Sequence, residues 1–497
     1  MSKHKVLRAV TVLLATLNTV YGSDYLDDFN PSTPLHPTSG LANDVLRKQY
    51  PGLAAWDIGA QVRLRYEIKD NFGIPGAGAA SVDFSQQPGV RMDNAYFLDR
   101  LKPHIGYNAD WFGIFVEGRS SGTTNDKRNP NPESDGPIDL HQGFITLGNP
   151  KQFPLSAKVG RQELTYGDER LIGVSDWNNI ARVFDAAKLR WQQSAFSADL
   201  FSGRVIIPYD NHFNMPNDYD WFSGLYVTTK VIPKQTTEAY LLARNTSGES
   251  PNALVNSATP AFLKGASARD IYTIGVRVKS TPGAFAGWDY YGELMGQYGH
   301  FNDPAKPAGS DRSLEHQAFA FYAGAGYTWT NTSLVPRLGL EYNFASGDSD
   351  PNDNKHETFE VLFPTFHKYY GFMNFLSLQN LHDLRLLSSI KPIPRLTLQA
   401  EGHFFWLADT HDSFYNVTGA KRGGNATTAG NGYGINPGYH SDLGSEVDVI
   451  GTYMLTSYSN LQVGYGHFFR GDYIKQSLSA VGSGDANWFY VQTTFSF

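Results

Sequence analysis

Residues Ile58 to Lys69 read IGAQVRLRYEIK. Arg63, Arg65, Glu67 and Lys69 alternate with Val62, Leu64, Tyr66 and Ile68. In an extended chain every second side chain points the same way, so this segment has one charged face and one apolar face. Two settings accept such a strand. A soluble sheet buries the apolar face and wets the charged one; a membrane barrel turns the apolar face to lipid and lines an aqueous bore with the charges.

The same division recurs along the chain. Phe112, Ile114 and Val116 oppose Phe115, Glu117 and Arg119, while Leu338, Leu340, Tyr342 and Phe344 oppose Arg337, Glu341 and Asn343. Leu396, Leu398, Ala400 and Phe404 oppose Gln399, Glu401 and His403, and Leu384 and Leu386 alternate with Asp383 and Arg385. Segments of this kind number roughly eighteen from Trp56 onward, an even count as a single-chain bacterial barrel requires. Sharing residues 56–497 among them leaves about 25 per strand and connection, enough for a tilted span and a loop. Short turns, at Asn108–Asp110 and around Ser194, alternate with long polar stretches: TTNDKRNPNPESDG (123–136), GDSDPNDNKHE (347–357) and TGAKRGGNATTAGNGYGINPG (418–438). That asymmetry is expected of periplasmic turns and extracellular loops. No blade-length repeat is present and the loops are unequal, which disfavours a propeller or solenoid. The final strand, NWFYVQTTFSF, sets Phe489, Val491, Phe495 and Phe497 on one face, an aggregation-prone edge in a soluble protein. The expected fold is all-β: a transmembrane antiparallel up-and-down β-barrel of about eighteen strands in the bacterial outer membrane.

Composition agrees. The 497 residues include 49 Gly, 28 Tyr, 32 Phe, 9 Trp and no Cys, with a mean hydropathy of −0.36. An aromatic-rich chain that is polar on average suits strands with one watered face. The net charge of −7 argues against a nucleic-acid binder. The opening MSKHKVLRAVTVLLATLNTVYGSDY pairs Lys3, Lys5 and Arg8 with a short apolar run, the pattern of a secretory signal. The expected organisation is a signal peptide at 1–22, a periplasmic arm at 23–55 and the barrel at 56–497. Tyr66, Trp111, Tyr342 and Trp406, near strand ends, are expected in the interfacial aromatic girdles.

Enzyme signatures are missing: the 14 His form no HExxH, and no GxSxG occurs. Asp348, Asp350 and Asp353 begin like a Ca²⁺ loop but lack its central Gly and closing Glu, so a solvated loop is the default and no cofactor is expected. The chemistry lies in the charged strand faces. Alternation assigns Arg63, Arg65, Lys69, Arg100, Lys102, Arg119, Lys188, Arg190, Arg337, Arg385 and Arg470 to the lumen, with Glu67, Glu117, Glu341, Asp383, Glu401, Glu446 and Asp448 among them. Opposed charges across a bore create a transverse field, and an excess of bases favours anions. Cross-strand pairing of many of these groups to hold the wall is the alternative role.

KVGRQELTYGDERLIGVSDWNNIARVFDAAKLRW (158–191), the run from Gly347 to Phe375, LHDLRL (381–386), HFFWLADTHDSFYN (403–416) and LQVGYGHFFRGDYIK (461–475) together resemble the alginate export family of outer-membrane proteins. The resemblance implies an eighteen-stranded pore whose basic lumen lets an anionic uronate polymer leave the cell. Carried onto this chain, it implicates Arg161, Glu163, Arg170, Arg182, Asp185 and Arg190. Alternation supports the lumen for Lys188 and Arg190, is ambiguous for Arg161, which shares the parity of Ala157 and Val159, and places Arg182 and Asp185 near the rim. The expected partners are outer-membrane lipid and lipopolysaccharide, an anionic poly- or oligosaccharide, the barrel assembly machinery and an export scaffold in the periplasm. Uptake of small anionic solutes or uronate oligosaccharides by a porin is the alternative function.

Overall fold

The computed structural model describes residues 40–73, 83–86, 92–128, 133–208, 213–247, 268–302, 313–365, 367–423 and 428–497. The expected signal peptide and the first part of the expected arm lie outside them. Eighteen antiparallel strands make the wall. They are β1 Trp56–Asp70, β2 Asn94–Asn108, β3 Phe112–Thr124, β4 Asp135–Leu147, β5 Leu155–Gln162 and β6 Phe184–Gln192. Next come β7 Phe196–Ile207, β8 Met215–Thr229, β9 Gln235–Thr246, β10 Arg269–Ser280, β11 Trp288–Asn302 and β12 Ser313–Thr328. The ring continues with β13 Arg337–Ala345, β14 Leu381–Ile393, β15 Leu396–Leu407, β16 Asp442–Thr456, β17 Ser459–Arg470 and β18 Ala486–Ser496. Each strand pairs with its neighbours in sequence, and β1 pairs with β18, Val62 opposite Phe495, to close the barrel. Closure removes the free edge that β18 would otherwise present. A two-residue bridge, Lys355–His356, lies parallel to β12 inside the loop after β13.

The alternation sorts the two faces as expected. Ile114 is 46 % and Leu294 62 % exposed, whereas Arg63, Arg65 and Glu67 are buried. A contiguous outward belt of this kind is sensible only against lipid. Slipping β1 by one residue would turn its charges into that belt, at about 2–4 kcal/mol for each Arg or Lys near midplane. Connections are short at one end (193–195, 394–395, 457–458) and long at the other (163–183, 346–380, 408–441). Trp56, Trp111, Trp191, Trp288 and Trp329 all stand at the short end and form a girdle there, marking it as the periplasmic side.

Helix α1 (Leu41–Gln49) is tied to that end. Asn43 accepts from the Ile58 amide at 2.6 Å and donates to Asp57, and Arg47 donates to the Trp56 carbonyl at 2.6 Å. Helix α2 (Asp472–Ser477) sits at the opposite end with Tyr473 and Ile474 fully buried. Among the described residues no helix is long and apolar enough to cross a membrane; the chain crosses with strands. The interior is filled rather than open: segments 163–183 and 346–380 fold inward and pack Leu171, Ile172, Leu362 and Phe363 against the lumen-facing Phe184, Phe201 and Phe222.

Candidate functional site: the occupied bore

Segment 163–183 reaches the wall through charge. The Asp176 carboxylate accepts from Arg100 at 2.8 and 3.2 Å and from Arg63 at 3.4 Å, and Arg63 also donates to the Asp176 carbonyl at 2.5 Å. Arg65 donates to the Trp177 carbonyl at 2.7 Å and lies 3.9 Å over the Trp177 ring, a cation–π contact. Arg65 also pairs with Glu67 at 2.7 Å and Glu133 at 3.2 Å. Arg119 pairs with Asp135 and donates to the Ile180 carbonyl at 2.6 Å. Farther round, Arg277 and Lys279 both hold Asp168 at 2.6 Å. Glu169, Ser175 and Ala181 take left-handed φ values of 64°, 52° and 61°. Such backbone costs energy and concentrates where surroundings over-determine a loop.

Segment 346–380 is bound to this first loop and to the far wall. The Gly173 and Phe363 amides donate to Phe363 and Leu171 carbonyls, each at 2.8 Å, and Thr365 donates to Glu169 at 2.8 Å. Arg182 clamps the two loops by donating to the Gly173, Phe363 and Pro364 carbonyls at 2.8, 2.6 and 2.9 Å. Arg170 donates to Glu341 at 2.7 Å and stacks on Tyr322 and Tyr369 at 3.7 and 4.0 Å. On β16, Glu446 accepts from the Met373 amide at 2.8 Å. The space left among Tyr166, Asp168, Arg170 and Glu293 is about 10 Å³, room for one water at most.

Charge is distributed unevenly round the ring. On β5 and β6 the cations Lys158, Lys188 and Arg190 face the lumen together; Lys158 stands opposite Lys188 in register and lies 3.7 Å over the Phe144 ring. Asp199 is the carboxylate within ion-pair reach of this group, at 3.8 Å from Lys188 and 3.2 Å from Arg190. On β14, β15 and β16 the acids Asp383, Glu401, Glu446 and Asp448 are buried around Arg385 and His403. Strands β6 and β15 are nine steps apart (15 − 6 = 9, and 18 − 9 = 9 the other way), so basic and acidic walls face each other across the barrel. In the loops, burial would push the carboxyls up, but neighbouring cations prevail. Arg100 and Arg63 hold Asp176 well below the usual carboxylate range, Arg277 and Lys279 do the same for Asp168, and Lys102 with His141 brings Glu163 down to about 2. All three are anions at neutral pH.

The sequence profile of alginate export proteins matches residues 55–484. The chain belongs to the alginate export family. Solved outer-membrane porins share its fold. OccK11 (OpdR) of Pseudomonas aeruginosa is similar at 13 % identity over 89 % of this chain and 96 % of its own, TM-score 0.51. OpdK of the same organism, solved with vanillate, is 12 % identical over 89 % and 98 %, TM-score 0.52. OccK2 (OpdF), solved with glucuronate, is 12 % identical over 89 % and 98 %, TM-score 0.53. No curated protein sequence matches the chain. Family and fold together make this member of the alginate export family an outer-membrane channel.

Within it, Arg63, Arg65, Arg100, Arg119, Lys188, Arg190, Arg337 and Arg385 line the bore as alternation indicates, and most are paired. Arg337 holds Asp289 at 2.6 Å and Arg385 holds Glu401 at 2.8 Å. Glu163 opens the first loop beside Lys102 and His141, and Arg182 is the buried clamp between loops. Three candidates do not line the bore. Arg161 and Asp185 pair directly across β5 and β6, at 2.9 Å, on the outward face shared with Val159, Leu189 and Trp191. Gly160 is left-handed (φ 127°), but register with β4 runs unbroken through it, so Arg161 keeps the parity of Val159. Arg470 is at the loop-end rim, 3.6 Å from Asp485.

Sequence reading missed Asp176, Trp177 and Asp168, which sit in a loop without periodicity. It also missed Lys158, Arg244 and Arg277, although KVGRQ, TEAYLLARN and RDIYTIGVRVK carry the alternation that reveals them. Asp348, Asp350 and Asp353 accept the amides of Asp350, Asn352 and Lys355 at 3.2, 3.1 and 2.6 Å. They build successive turns and do not gather about one point. Glu117, His141 and Glu163 do converge, within 4.8 Å, but Lys102 Nζ at 3.5 and 3.7 Å from the two carboxylates already supplies the positive charge.

Proposed function

We propose that this member of the alginate export family conducts an anionic, uronate-bearing carbohydrate across the outer membrane, as a polyuronate leaving the cell. The observation that carries the reading is the grip of Arg63 and Arg100 on Asp176. Its side chain is 49 % exposed, so two guanidiniums already bind a carboxylate at a wet site, which is the chemistry a uronate offers. The basic group on β5 and β6 supplies a second station with one carboxylate among three cations. Movement is passive: a uronate carboxylate displaces Asp176 from its arginines, the first loop loses that anchor, and the polymer passes between the opposed walls. Planar-bilayer recordings with uronate oligomers test this. Chloride-favouring conductance blocked by micromolar oligouronate supports it, and cation-favouring conductance indifferent to uronate sinks it.

Uptake of small uronates is the second reading. The inward loops pack hydrophobic side chains against the lumen wall, which suits a small solute better than a chain, and the similarly folded OccK2 was solved with glucuronate. Block by monomeric and polymeric uronate, compared in the same recordings, separates the two.

A further inference from the structure

On the outer surface, strands β13, β14 and β15 carry one feature that conduction does not use. Phe344, His382 and Trp406 stand in register across these strands. They share the outward face of Leu340, Leu386 and Phe404 and occupy its end nearest the long loops. The Tyr342 hydroxyl and His382 Nδ1 lie 2.6 Å apart, a hydrogen bond in which the imidazole tautomer sets which group donates. The Phe344 ring lies 4.9 Å from His382. Residues 408–411 overhang this row, so Tyr342, His382, Trp406, Asp409, Thr410 and His411 line a cleft of about 650 Å³.

Position and chemistry restrict what fits. The floor of the cleft continues the belt that faces acyl chains, while its roof is polar loop. It therefore spans the level where lipid tails give way to headgroups. It offers aromatic faces, hydroxyls, an indole N–H and one carboxylate whose neighbouring imidazole lies at 2.8 Å, but no Lys or Arg lines it. Aromatic faces interleaved with neutral donors and acceptors suit a sugar ring, and the lack of a fixed cation disfavours a bare phosphate. We propose that this cleft binds the sugar headgroup of an outer-leaflet glycolipid, with acyl chains running down over Leu340, Leu386 and Phe404. The site is separate from the bore and stands or falls independently of the transported solute.

The test is native mass spectrometry of the full detergent-solubilised barrel with equimolar deep-rough lipopolysaccharide and phosphatidylglycerol. The wild-type protein should retain one lipopolysaccharide in preference to phosphatidylglycerol. Trp406→Ala, which removes the aromatic face, should weaken retention about tenfold. Thr410→Trp fills the cleft from the loop without altering the wall and should abolish retention, so a folding failure of the first variant leaves the test intact. Leu294→Ala, in the belt on β11, should change nothing. Equal retention of the two lipids by wild type, or undiminished lipopolysaccharide on Thr410→Trp, would show ordinary annular lipid and overturn the proposal.

Discussion

Replacing Asp176 by Asn removes one negative charge from the contact that seats the first inward loop. Hydrogen bonds to charged groups are worth about 1.5–3 kcal/mol when protected, but half of the Asp176 side chain is open to water, which places the pair near the surface range of about 0.2–1 kcal/mol. Asn keeps one acceptor oxygen, and Arg63 keeps the Trp177 and Asn178 carbonyls at 3.2 and 3.3 Å. The expected loss is therefore about 1 kcal/mol, a factor of about 5 in the ratio of seated to displaced loop. Arg63 and Arg100 are then left without their carboxylate. In planar bilayers under a KCl gradient the variant should conduct more and shift its reversal potential toward chloride. Acid should act on wild type in a related way. The Asp176 carboxyl is depressed in the folded protein, so its contribution is present above the unfolded value of about 3.9 and is lost only as pH falls toward the lower folded value. Wild-type conductance should thus be flat from neutral pH to about 4 and rise below it. An Asp176→Asn channel with unchanged conductance and reversal potential would refute the idea that this carboxylate holds the loop and masks the arginines.

Lys188→Glu, facing Lys158 and 3.8 Å from Asp199, should cancel the net positive charge of the basic wall and move the reversal potential toward potassium; an unmoved potential would place selectivity elsewhere. Arg277→Leu takes the guanidinium away from buried Glu238 and weakens the hold on Asp168. Removing one partner of a buried pair costs about 3–5 kcal/mol, so the temperature at which the folded gel band disappears should fall, with Arg277→Lys falling less. Gly464→Val would drive a side chain into the Tyr490 ring on the neighbouring strand; folded barrel should be scarce in outer-membrane fractions, and a normal yield would show that the strands can shift to accept it. Burial and the nearby Asp412 push Asp348 up to about 6. The loop it braces should be firmest below about 4 and loosen as pH rises through 6, seen as faster proteolysis of 346–358 at pH 8 than at pH 5, a difference that Asp348→Asn should remove.

The wall was legible because membrane depth enforces a period of two. Phe112, Ile114 and Val116 could be placed against lipid, and Arg63, Arg65 and Arg119 in the bore, since the reverse would expose several guanidiniums to hydrocarbon. At Arg161, where alternation was ambiguous, the parity shared with Val159 was the better guide, and Asp185, expected near the rim, pairs with it on the outward face. Loops obey no such period. Asp176 finds Arg100 and Arg63 across 76 and 113 residues of chain, and nothing in SDWNN announces that reach.

This changes what the basic residues imply. An inventory of lumen arginines suggests a strongly positive conduit, yet Arg65, Arg119, Arg170, Arg277, Arg337 and Arg385 each face carboxylates at contact distance. A neutralised pair contributes little field beyond a few ångströms and instead fixes loops and strands. Selectivity then depends on charge left over after pairing, chiefly Lys158, Lys188 and Arg190 against Asp199. If that is so, reversing one cation on β6 should alter ion preference more than removing Arg385, whose loss should chiefly loosen the barrel. Equal effects from the two substitutions would mean that total charge, and not its residue after pairing, governs passage.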